Sequence, residues 1–315
     1  MSSCISCENL RVSFSEHKSY TQVVRGVSFS IENQTTLGVV GESGCGKSVS
    51  ALSIMRLIAS PPGKIESGVI NFENRNLLSL PEKQMQKIRG CKISMIFQDP
   101  MTSLNPVFTC GYQIGEMFEQ HRETGSCEQL LSEVGIPDTF RVMNSYPHQL
   151  SGGMRQRVMI AMALSCTPKL LIADEPTTAL DVTVQARLLD LLKSLQETKG
   201  MSMLLITHNM GIVANMAHEV MVMYAGEVME HAPTEELFNS PLHPYTRSLL
   251  ETIPSLDKKS KKLPVIPGDV PAPNDLPSGC SFHPRCSKAF SRCKIDHPEI
   301  HEIKPGHTVR CHLYE

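Results

Sequence analysis

The hydrophobic pattern of the chain is dominated by short apolar runs that end in polar or glycine-rich residues. Four such runs occur in Thr35–Met55 (TTLGVVGESGCGKSVSALSIM), Ser94–Pro100 (SMIFQDP), Lys169–Pro176 (KLLIADEP) and Met203–Asn209 (MLLITHN). Strands buried on both faces of a parallel sheet are apolar throughout, and open α/β sheets bind ligands beyond the carboxyl ends of their strands. The pattern therefore predicts an α/β fold with these polar residues at one edge of a sheet.

Two further segments have other periodicities. Gly111–Ile136 (GYQIGEMFEQHRETGSCEQLLSEVGI) has helical spacing and lacks strand alternation. Glu219–Glu230 (EVMVMYAGEVME) consists of two apolar stretches around Ala-Gly, which predicts two short strands joined by a turn.

The composition bounds the class of protein. The 315 residues, of which 41% are hydrophobic, suffice for one large domain or two ordinary ones with a sizeable core. A formal net charge of −2 gives no support to binding of nucleic acid by bulk charge. The lysine run at 258–262 predicts a solvated linker.

The sequence predicts a cytoplasmic protein without its own membrane span. The start, MSSCISCENLRVSF, lacks the basic and apolar regions of a signal peptide, and the apolar stretch at 158–168 is far too short to cross a bilayer. Reduced thiols are then expected, and 11 cysteines cannot all be paired. Cys4 and Cys7 form a lone C-x-x-C at a terminus that we expect to be mobile, and the sequence assigns them no role.

The strongest single motif is a phosphate-binding loop that matches G-x-x-x-x-G-K-[ST]. Its glycines let backbone N–H groups surround phosphate oxygens, and the helix after it presents its positive end to the same anion. Lys47 is expected to reach the outer phosphates and Ser48 to ligate Mg²⁺. Cys45 inside the loop is interpreted as a small residue, with oxidation of its thiol as the alternative. The predicted nucleotide contacts are Gly41, Glu42, Ser43, Gly44, Cys45, Gly46, Lys47, Ser48 and Val49.

Two carboxylates follow the third apolar run. We expect Asp174 to hold Mg²⁺, directly or through water, and Glu175 to polarise the attacking water. Alone, the pair would be interpreted as an acidic turn after a core strand, but beside a phosphate loop it favours hydrolysis. His208 and Gln98 also follow apolar runs. Each would be an ordinary surface or turn residue by itself, whereas after a strand of a nucleotide site His208 is predicted to contact the γ-phosphate.

A second anion cradle occurs in His148–Leu164 (HQLSGGMRQRVMIAMAL). Ser151, Gly152 and Gly153 open a helix there, and they present a hydroxyl and free N–H groups. Since one chain needs only one cradle for one triphosphate, the second indicates a nucleotide held by another subunit.

With this motif the chain resembles the ATP-binding cassette (ABC) ATPases from Leu10 to about Pro254. Gly41–Ser48 resemble the Walker A loop, Leu150–Gln156 the signature (with Met154 where Gln is common) and Leu170–Glu175 the Walker B strand. Ala179–Asp181 resemble the D-loop. The resemblance implies a Q-loop role for Gln98, which joins Ser48 and Asp174 at Mg²⁺, and a switch role for His208. It also implies an adenine-stacking aromatic residue, either Phe14 or Tyr20, and nucleotide contact by Asp181.

The family resemblance implies a P-loop NTPase fold of RecA type, with an antiparallel β-subdomain and an inserted helical subdomain. We place the ATPase domain at 1–254, the helical subdomain at about 89–149, and a small Cys-rich C-terminal domain with a proline-rich connector at 255–315. In this family two cassettes close head to tail on two ATP molecules, and this drives a membrane partner.

Several stretches resemble a narrower group, the ATPase subunits of bacterial dipeptide and oligopeptide importers, which includes nickel importers. They are QDPMTSLNP (98–106), YPHQLSGGM (146–154), DEPTTALDVTVQ (174–185), HPYTRSLL (243–250), IPGDVPAP (266–273) and GCSFHPRC (279–286). The resemblance implies a peripheral subunit on the cytoplasmic face of the inner membrane. Its implied partners are a second related ATPase, two permease subunits and an extracytoplasmic solute-binding protein, without nucleic acid.

Other functions and solutes stay open. A non-transport ABC ATPase acting in repair or on ribosomes would carry a long coiled coil or a second cassette, neither of which fits here. A small-molecule kinase would lack the signature. Peptide is the leading solute, and nickel or another small solute is the alternative, because the permeases and the binding protein choose the solute.

The tail carries four cysteines, Cys280, Cys286, Cys293 and Cys311, separated by five, six and seventeen residues. These gaps are too long for the usual zinc knuckles. Four thiolates suit a cubane iron–sulfur cluster, and the resemblance to importer ATPases implies a [4Fe–4S] cluster. Zinc or unligated thiols remain alternatives. We expect such a cluster to staple a domain too poor in apolar residues to fold alone.

Overall fold

The computed structural model describes residues 3–16, 19–99, 103–178, 181–253 and 266–315. The lysine run at 258–262, the D-loop residues 179 and 180 and the first part of the proline-rich connector lie outside the described residues. Contacts divide the chain into two units. The first consists mainly of Ser79–Leu204, and the second of Ile5–Ser30, Thr36–Leu78 and Leu205–Glu315.

The described strands are β1 (Ser3–Glu16), β2 (Ser19–Glu32), β3 (Thr36–Val40), β4 (Gly63–Phe72), β5 (Arg75–Asn76), β6 (Ile93–Ile96), β7 (Leu170–Asp174), β8 (Ser202–Ile206), β9 (Glu219–Tyr224), β10 (Glu227–Pro233), β11 (Ile300–Lys304) and β12 (His307–Arg310). The described α-helices are α1 (Lys47–Ile54), α2 (Glu82–Gln86), α3 (Cys110–His121), α4 (Cys127–Glu133), α5 (Thr139–Met143), α6 (Gly152–Leu164), α7 (Val182–Lys199), α8 (Met210–Met216), α9 (Thr234–Asn239) and α10 (Pro244–Glu251).

The first unit contains a parallel strand pair and the helical segment. Strand β6 pairs with β7 in parallel register, with Ile96 opposite Ala173. All residues of both strands are buried, as continuous apolar runs predict. The helical periodicity of Gly111–Ile136 is confirmed, because α3 and α4 occupy most of it. Helix α3 is capped by Thr109 and α4 by Ser126, whose hydroxyl groups accept backbone N–H groups of the first turn.

The second unit contains two sheets. The smaller has the order β2-β1-β4-β5, with β1 antiparallel to β4. In the other, β3 is parallel to β9, which continues through antiparallel neighbours to β10, β12 and β11. A mixed sheet therefore carries the strand that leads into the phosphate loop.

The hairpin of β9 and β10 confirms the predicted Ala-Gly turn. Ala225 and Gly226 both have positive φ, 47° and 85°, which suits the right-handed twist of a two-residue hairpin. A side chain at Gly226 would collide with the backbone oxygen of Val23. Its N–H donates to the carbonyl oxygen of Cys45 at 3.1 Å, so this turn contacts the phosphate loop directly.

A separate Cys-rich C-terminal domain, as expected from the sequence, is not supported. Residues 266–315 belong to the second unit, where β12 pairs with β10. Phe282 packs against Tyr224 and Tyr245 at ring-centroid distances of 5.2 Å, and all three rings are fully buried. Because aromatic packing of this kind supplies a large apolar contact, the C-terminal segment shares a core with the ATPase strands.

A buried polar cluster further joins this segment to its neighbours. The carboxylate of Glu230 accepts the backbone N–H groups of Leu242 and His243 at 2.7 and 2.8 Å. Nε2 of His307 lies 2.8 Å from the same carboxylate. Several donors thus compensate the burial of this carboxylate, which would otherwise be costly.

The expectation for the N-terminus was wrong. Cys4 and Cys7 lie in β1 and are buried rather than mobile, with relative exposures of 7% and 1%. Burial raises the pKa of the Cys7 thiol to about 12, which makes it an inert core side chain. No helix among the described residues combines the length and apolar character needed to cross a membrane.

Candidate functional site

The glycine-rich loop between β3 and α1 has the conformation that its sequence predicts. Gly41, Gly44 and Gly46 have φ values of 155°, 80° and 99°. A side chain at Gly41 would strike the backbone oxygen of Met223, whereas the space around Gly44 is open to 4 Å. Only glycine tolerates this backbone without strain. The loop is exposed at Ser43 and Gly44, and its glycines leave the backbone accessible beside the start of α1, as an anion cradle requires.

The ammonium group of Lys47 is held inside this loop. Its Nζ donates to the carbonyl oxygens of Gly41 at 2.7 Å and Glu42 at 3.0 Å. The side chain is buried at the N-terminus of α1, which carries no acidic residue in its first turn. Both the ammonium and the helix N-terminus favour a negatively charged ligand at this point.

Cys45 does not have the character of a reactive thiol. It is fully buried, and burial raises its pKa, although the nearby Lys47 opposes this shift. A protonated buried thiol is a poor nucleophile. Burial thus disfavours the oxidation alternative, and the position of the thiol beside Gly41 agrees with the interpretation of Cys45 as a small side chain.

Glu42 is held by two residues for which the sequence suggested no role. Its N–H donates to the hydroxyl of Tyr245 at 3.0 Å, and its carboxylate pairs with Arg285 at 2.7 Å. Both residues stand in stretches quoted above, HPYTRSLL and GCSFHPRC. Sequence spacing alone gave no signal for their contact with the loop.

His208 lies just after β8, next to the strand that leads into the loop. The N–H of the preceding Thr207 donates to the carbonyl oxygen of Val39 in β3 at 3.1 Å. His208 itself is exposed, and Asn209 after it caps α8. The prediction that His208 follows a strand beside the loop is confirmed, while its contact with phosphate stays a prediction.

The two candidate adenine-stacking residues differ in surroundings. Phe14 in β1 is half-buried, and its ring faces Gly63. Tyr20 in β2 is 59% exposed. The same strand reaches the loop three residues later, where the backbone oxygen of Val23 faces Gly46. The exposed ring is therefore on the strand that contacts the loop.

The first unit contains the acidic residues. Asp174 ends β7 and is buried, and Glu175 follows with a φ of 45°. Oε2 of Glu175 accepts a hydrogen bond from Nε2 of Gln98 at 3.1 Å and another from the hydroxyl of Thr178 at 2.9 Å. Positive φ in a non-glycine residue stores backbone strain, which occurs preferentially at functional sites. Two donors thus orient one carboxylate oxygen. The sequence alone did not predict the contact of Thr178 with Glu175.

The second cradle is at the start of α6, also in the first unit. The hydroxyl of Ser151 caps this helix by accepting the N–H of Met154. No atom lies within 4 Å of a side chain built at Gly152, whereas one at Gly153 would be 3.3 Å from Val184 of α7. Asp181 caps α7. The N-termini of both helices therefore adjoin each other, which brings Asp181 near the signature.

A buried hydrogen bond connects the signature helix to the acidic turn. Nε2 of Gln156 donates to the carbonyl oxygen of Pro176 at 2.7 Å. Gln156 is the last residue of the quoted LSGGMRQ stretch, and Pro176 directly follows Glu175. The first turns of α6 are therefore hydrogen-bonded to the backbone directly after Glu175.

The four C-terminal cysteines lie near one another. Burial is the main cause that raises the pKa of Cys280 to about 11, and the thiols of Cys286, Cys293 and Cys311 contribute. A backbone N–H two residues further on opposes the rise at each of Cys280, Cys286 and Cys311. Within the described ranges, no group of three or more His, Cys, Asp or Glu side chains has the arrangement of a metal-ion site.

Comparison with known proteins gives two family matches that cover most of the chain. The family model described as ABC transporter matches residues 24–178, and that described as oligopeptide/dipeptide transporter, C-terminal region, matches residues 229–293. A model described as AAA domain, putative AbiEii toxin, Type IV TA system, matches residues 144–214.

Curated relatives are similar over their whole length. The oligopeptide transport ATP-binding protein AppD of Bacillus subtilis is 51% identical, and the alignment covers 100% of this chain and 98% of AppD. The dipeptide transport ATP-binding protein DppD of Escherichia coli is 44% identical, with 98% and 96% covered.

Solved structures with a similar fold include the post-hydrolysis dimer of the ATP-binding cassette MJ0796 with ADP and Pi. It has a TM-score of 0.65 and 26% identity, and the match covers 73% of this chain and 98% of that one. The ABC transporter protein cbiO1 of Clostridium perfringens, at 24% identity and a TM-score of 0.62, shares the fold, with 76% and 92% covered.

Proposed function

Because the chain belongs to the family of ABC transporter ATP-binding proteins, we propose that it is the ATP-hydrolysing subunit of a bacterial importer of dipeptides or oligopeptides. The observation that carries this proposal is the 51% identity to AppD over the whole chain, together with the open glycine-rich surfaces at two helix N-termini. Both surfaces suit phosphate groups of a nucleotide.

The phosphate loop is proposed to bind the triphosphate through its backbone N–H groups and through Lys47. Ser48, Asp174 and Gln98 would hold Mg²⁺, which lowers the charge repulsion within the triphosphate when bound. Oxygen donors of this kind are those that Mg²⁺ prefers. Tyr20 is the better candidate to stack on adenine, since its ring is exposed on the strand that contacts the loop, whereas Phe14 faces Gly63.

Glu175 is proposed to accept the proton of the attacking water. Gln98 and Thr178 orient its carboxylate by their hydrogen bonds to Oε2. A positioned base contributes about 10²–10⁴ in rate. His208 at the end of β8 is proposed to donate to the γ-phosphate, where negative charge increases during hydrolysis.

The second cradle is proposed to act on a nucleotide held by another cassette. Ser151 and Gly152 are exposed at the start of α6, and one chain needs only one triphosphate site. We propose a second, related ATPase as this partner, and two permeases and a solute-binding protein as the remaining subunits. The protein would then work at the cytoplasmic face of the inner membrane, and Asp181 beside the signature would face the same interface.

Uptake by a deletion strain tests the transport function. We expect loss of the gene to abolish uptake of a radiolabelled dipeptide or tripeptide and to leave nickel uptake unchanged, because the whole-length relatives are named for peptides. The intact gene on a plasmid restores uptake, and the Lys47→Ala version serves as the matched control that does not. Loss of nickel uptake with normal peptide uptake would replace peptide by nickel as the solute.

We also propose that the four C-terminal cysteines bind a [4Fe–4S] cluster. All four are at least half-buried and close enough to influence one another, and backbone N–H groups face three of the sulfurs. The N–H of Lys288, for example, lies 3.4 Å from Sγ of Cys286. Such donors stabilise thiolates and tune cluster potentials.

Anaerobic purification tests the cluster. We expect a brown protein with about four irons per chain, and a nearly iron-free protein after Cys286→Ser. Cys127→Ser, which changes a half-buried thiol in α4, is the matched control and should retain the iron. A colourless protein with one zinc per chain would overturn the cluster in favour of a zinc site.

A further inference from the structure

Arg285 of the C-terminal segment forms a two-armed ion pair with Glu42 of the phosphate loop. The guanidinium NH1 lies 2.7 Å from Oε2 of Glu42, and NH2 lies 2.9 Å from Oε1. The side chain of Arg285 is only 5% exposed. A planar guanidinium that meets a carboxylate with two parallel hydrogen bonds fixes both position and orientation. The pair therefore links the end of the chain to the nucleotide loop.

Arg285 is itself held rigidly. Its Nε donates to the carbonyl oxygen of Pro267 at 2.9 Å, and its guanidinium lies 5.7 Å from the centre of the Tyr224 ring. Tyr224 packs edge-on against Phe282, three residues before Arg285. The side chain of Arg285 is therefore buried against packed aromatic rings rather than lying on the surface.

Glu42 is fixed at each of its polar groups. Its N–H donates to Tyr245, its carbonyl oxygen accepts from Nζ of Lys47, and its carboxylate meets Arg285. A shift of the Glu42 carboxylate would therefore displace the acceptor of Lys47 and the adjacent Gly41. The carboxylate also adds a negative charge to a loop that binds an anion, and Arg285 neutralises it.

A second contact reaches the loop indirectly, through the turn between β9 and β10. The hydroxyl of Ser281 donates to the buried carboxylate of Glu227 at 3.2 Å, and Nε2 of His297 lies 2.8 Å from the same carboxylate. Glu227 directly follows Gly226, whose N–H donates to the carbonyl oxygen of Cys45. The C-terminal segment therefore contacts the loop directly at Glu42 and is linked to Cys45 through Glu227 and Gly226.

We propose that Arg285 is a positioning residue for ATP binding, which neutralises Glu42 and holds the first half of the phosphate loop in its receptive shape. This inference rests on the proposed function, in which the loop binds ATP. The C-terminal segment is then a structural part of the nucleotide site. Removing the contact of Arg285 with Glu42 should therefore lower the affinity for ATP.

Equilibrium binding of a fluorescent ATP analogue to the full chain tests the proposal. We expect Arg285→Ala to weaken binding about tenfold or more, because it leaves the Glu42 carboxylate uncompensated beside the triphosphate. Adding Glu42→Gln to this variant should restore most of the affinity, since it removes the repelling charge. The defect of Arg285→Ala should also shrink as salt is raised, because salt screens the repulsion.

Arg292→Ala is the matched control, since this arginine lies in the same segment and pairs with Asp296 and Glu315 away from the loop. Its ATP affinity should equal that of the unmodified chain. If Arg285→Ala does not fold, as judged by thermal melting, Arg285→Lys retains the charge and loses one arm. We expect that variant to bind ATP several-fold more weakly.

The possible failures are distinguishable. If the unmodified chain binds no ATP, the proposed function is wrong, and the inference fails with it. Equal affinities of the unmodified, Arg285→Ala and Arg285→Lys chains would overturn the inference alone. A defect that neither Glu42→Gln nor salt relieves would overturn the neutralising role of Arg285.

Discussion

Glu175→Gln should lower the rate of ATP hydrolysis at least about a hundredfold while ATP affinity stays unchanged. Glutamine has nearly the same volume and can still accept hydrogen bonds from Gln98 and Thr178, but its amide cannot take the proton of the attacking water. The variant should therefore bind ATP and persist as a closed cassette pair. Phosphate release measures the rate, and size-exclusion chromatography with ATP measures the pairing.

Glu197→Gln provides the matched control, because this exposed carboxylate lies on α7, away from the acidic turn. Its hydrolysis rate should equal that of the unmodified chain. A Glu175→Gln variant that hydrolyses ATP at full rate would exclude Glu175 as the base, and the paired hydrogen bonds from Gln98 and Thr178 would then have only a structural role.

The strands of the site could be predicted because their signal is local. The runs before Gly41, Gln98 and Glu175 are mostly apolar, and the structure has buried parallel strands at each of them. The starts of two helices could also be predicted. Lys47 begins α1 directly after the glycine-rich turn, and Ser151 is a favourable capping residue for α6. The sequence thus located these elements, although β6 and β8 end two residues before Gln98 and His208.

The contacts that hold the phosphate loop in place could not be predicted, because they join residues that are distant in the sequence. Glu42 and Arg285 are separated by 243 positions, and no pattern around either one identifies the other. The same reason explains the wrong expectation for the C-terminal segment. Its proline-rich connector and four cysteines suggested a separate domain. Instead, Phe282 packs with Tyr224, and β12 pairs with β10, both of which precede the connector in the chain.

Strain at Glu175 was also invisible to sequence reasoning. Glu175 has a φ of 45° in the turn after β7, and its carboxylate accepts hydrogen bonds from Thr178 and Gln98. The acidic pair gave its chemistry, but the orientation of the carboxylate depends on these partners. The orientation of this carboxylate depends on tertiary contacts, which the residues close to it in the sequence do not reveal.

Lys47→Ala should abolish detectable ATP binding at micromolar nucleotide, and with it hydrolysis and uptake. The buried ammonium lies at the start of α1, where two carbonyl oxygens of the loop direct it. Truncating one partner of a hydrogen-bonded charge pair costs about 2–5 kcal/mol, which corresponds to an affinity loss of about thirtyfold or more. Isothermal calorimetry with ATP measures this loss.

The alternative explanation, a collapsed loop, is tested by the stability of the same variant. Removing Lys47 deletes two hydrogen bonds to Gly41 and Glu42, each worth about 1 kcal/mol, so the melting temperature should fall only slightly. Lys304→Ala, which removes an exposed lysine paired with Glu236, should change neither affinity nor melting. Unchanged ATP affinity of a folded Lys47→Ala chain would contradict the phosphate-loop assignment, because no other described cation is buried within that loop.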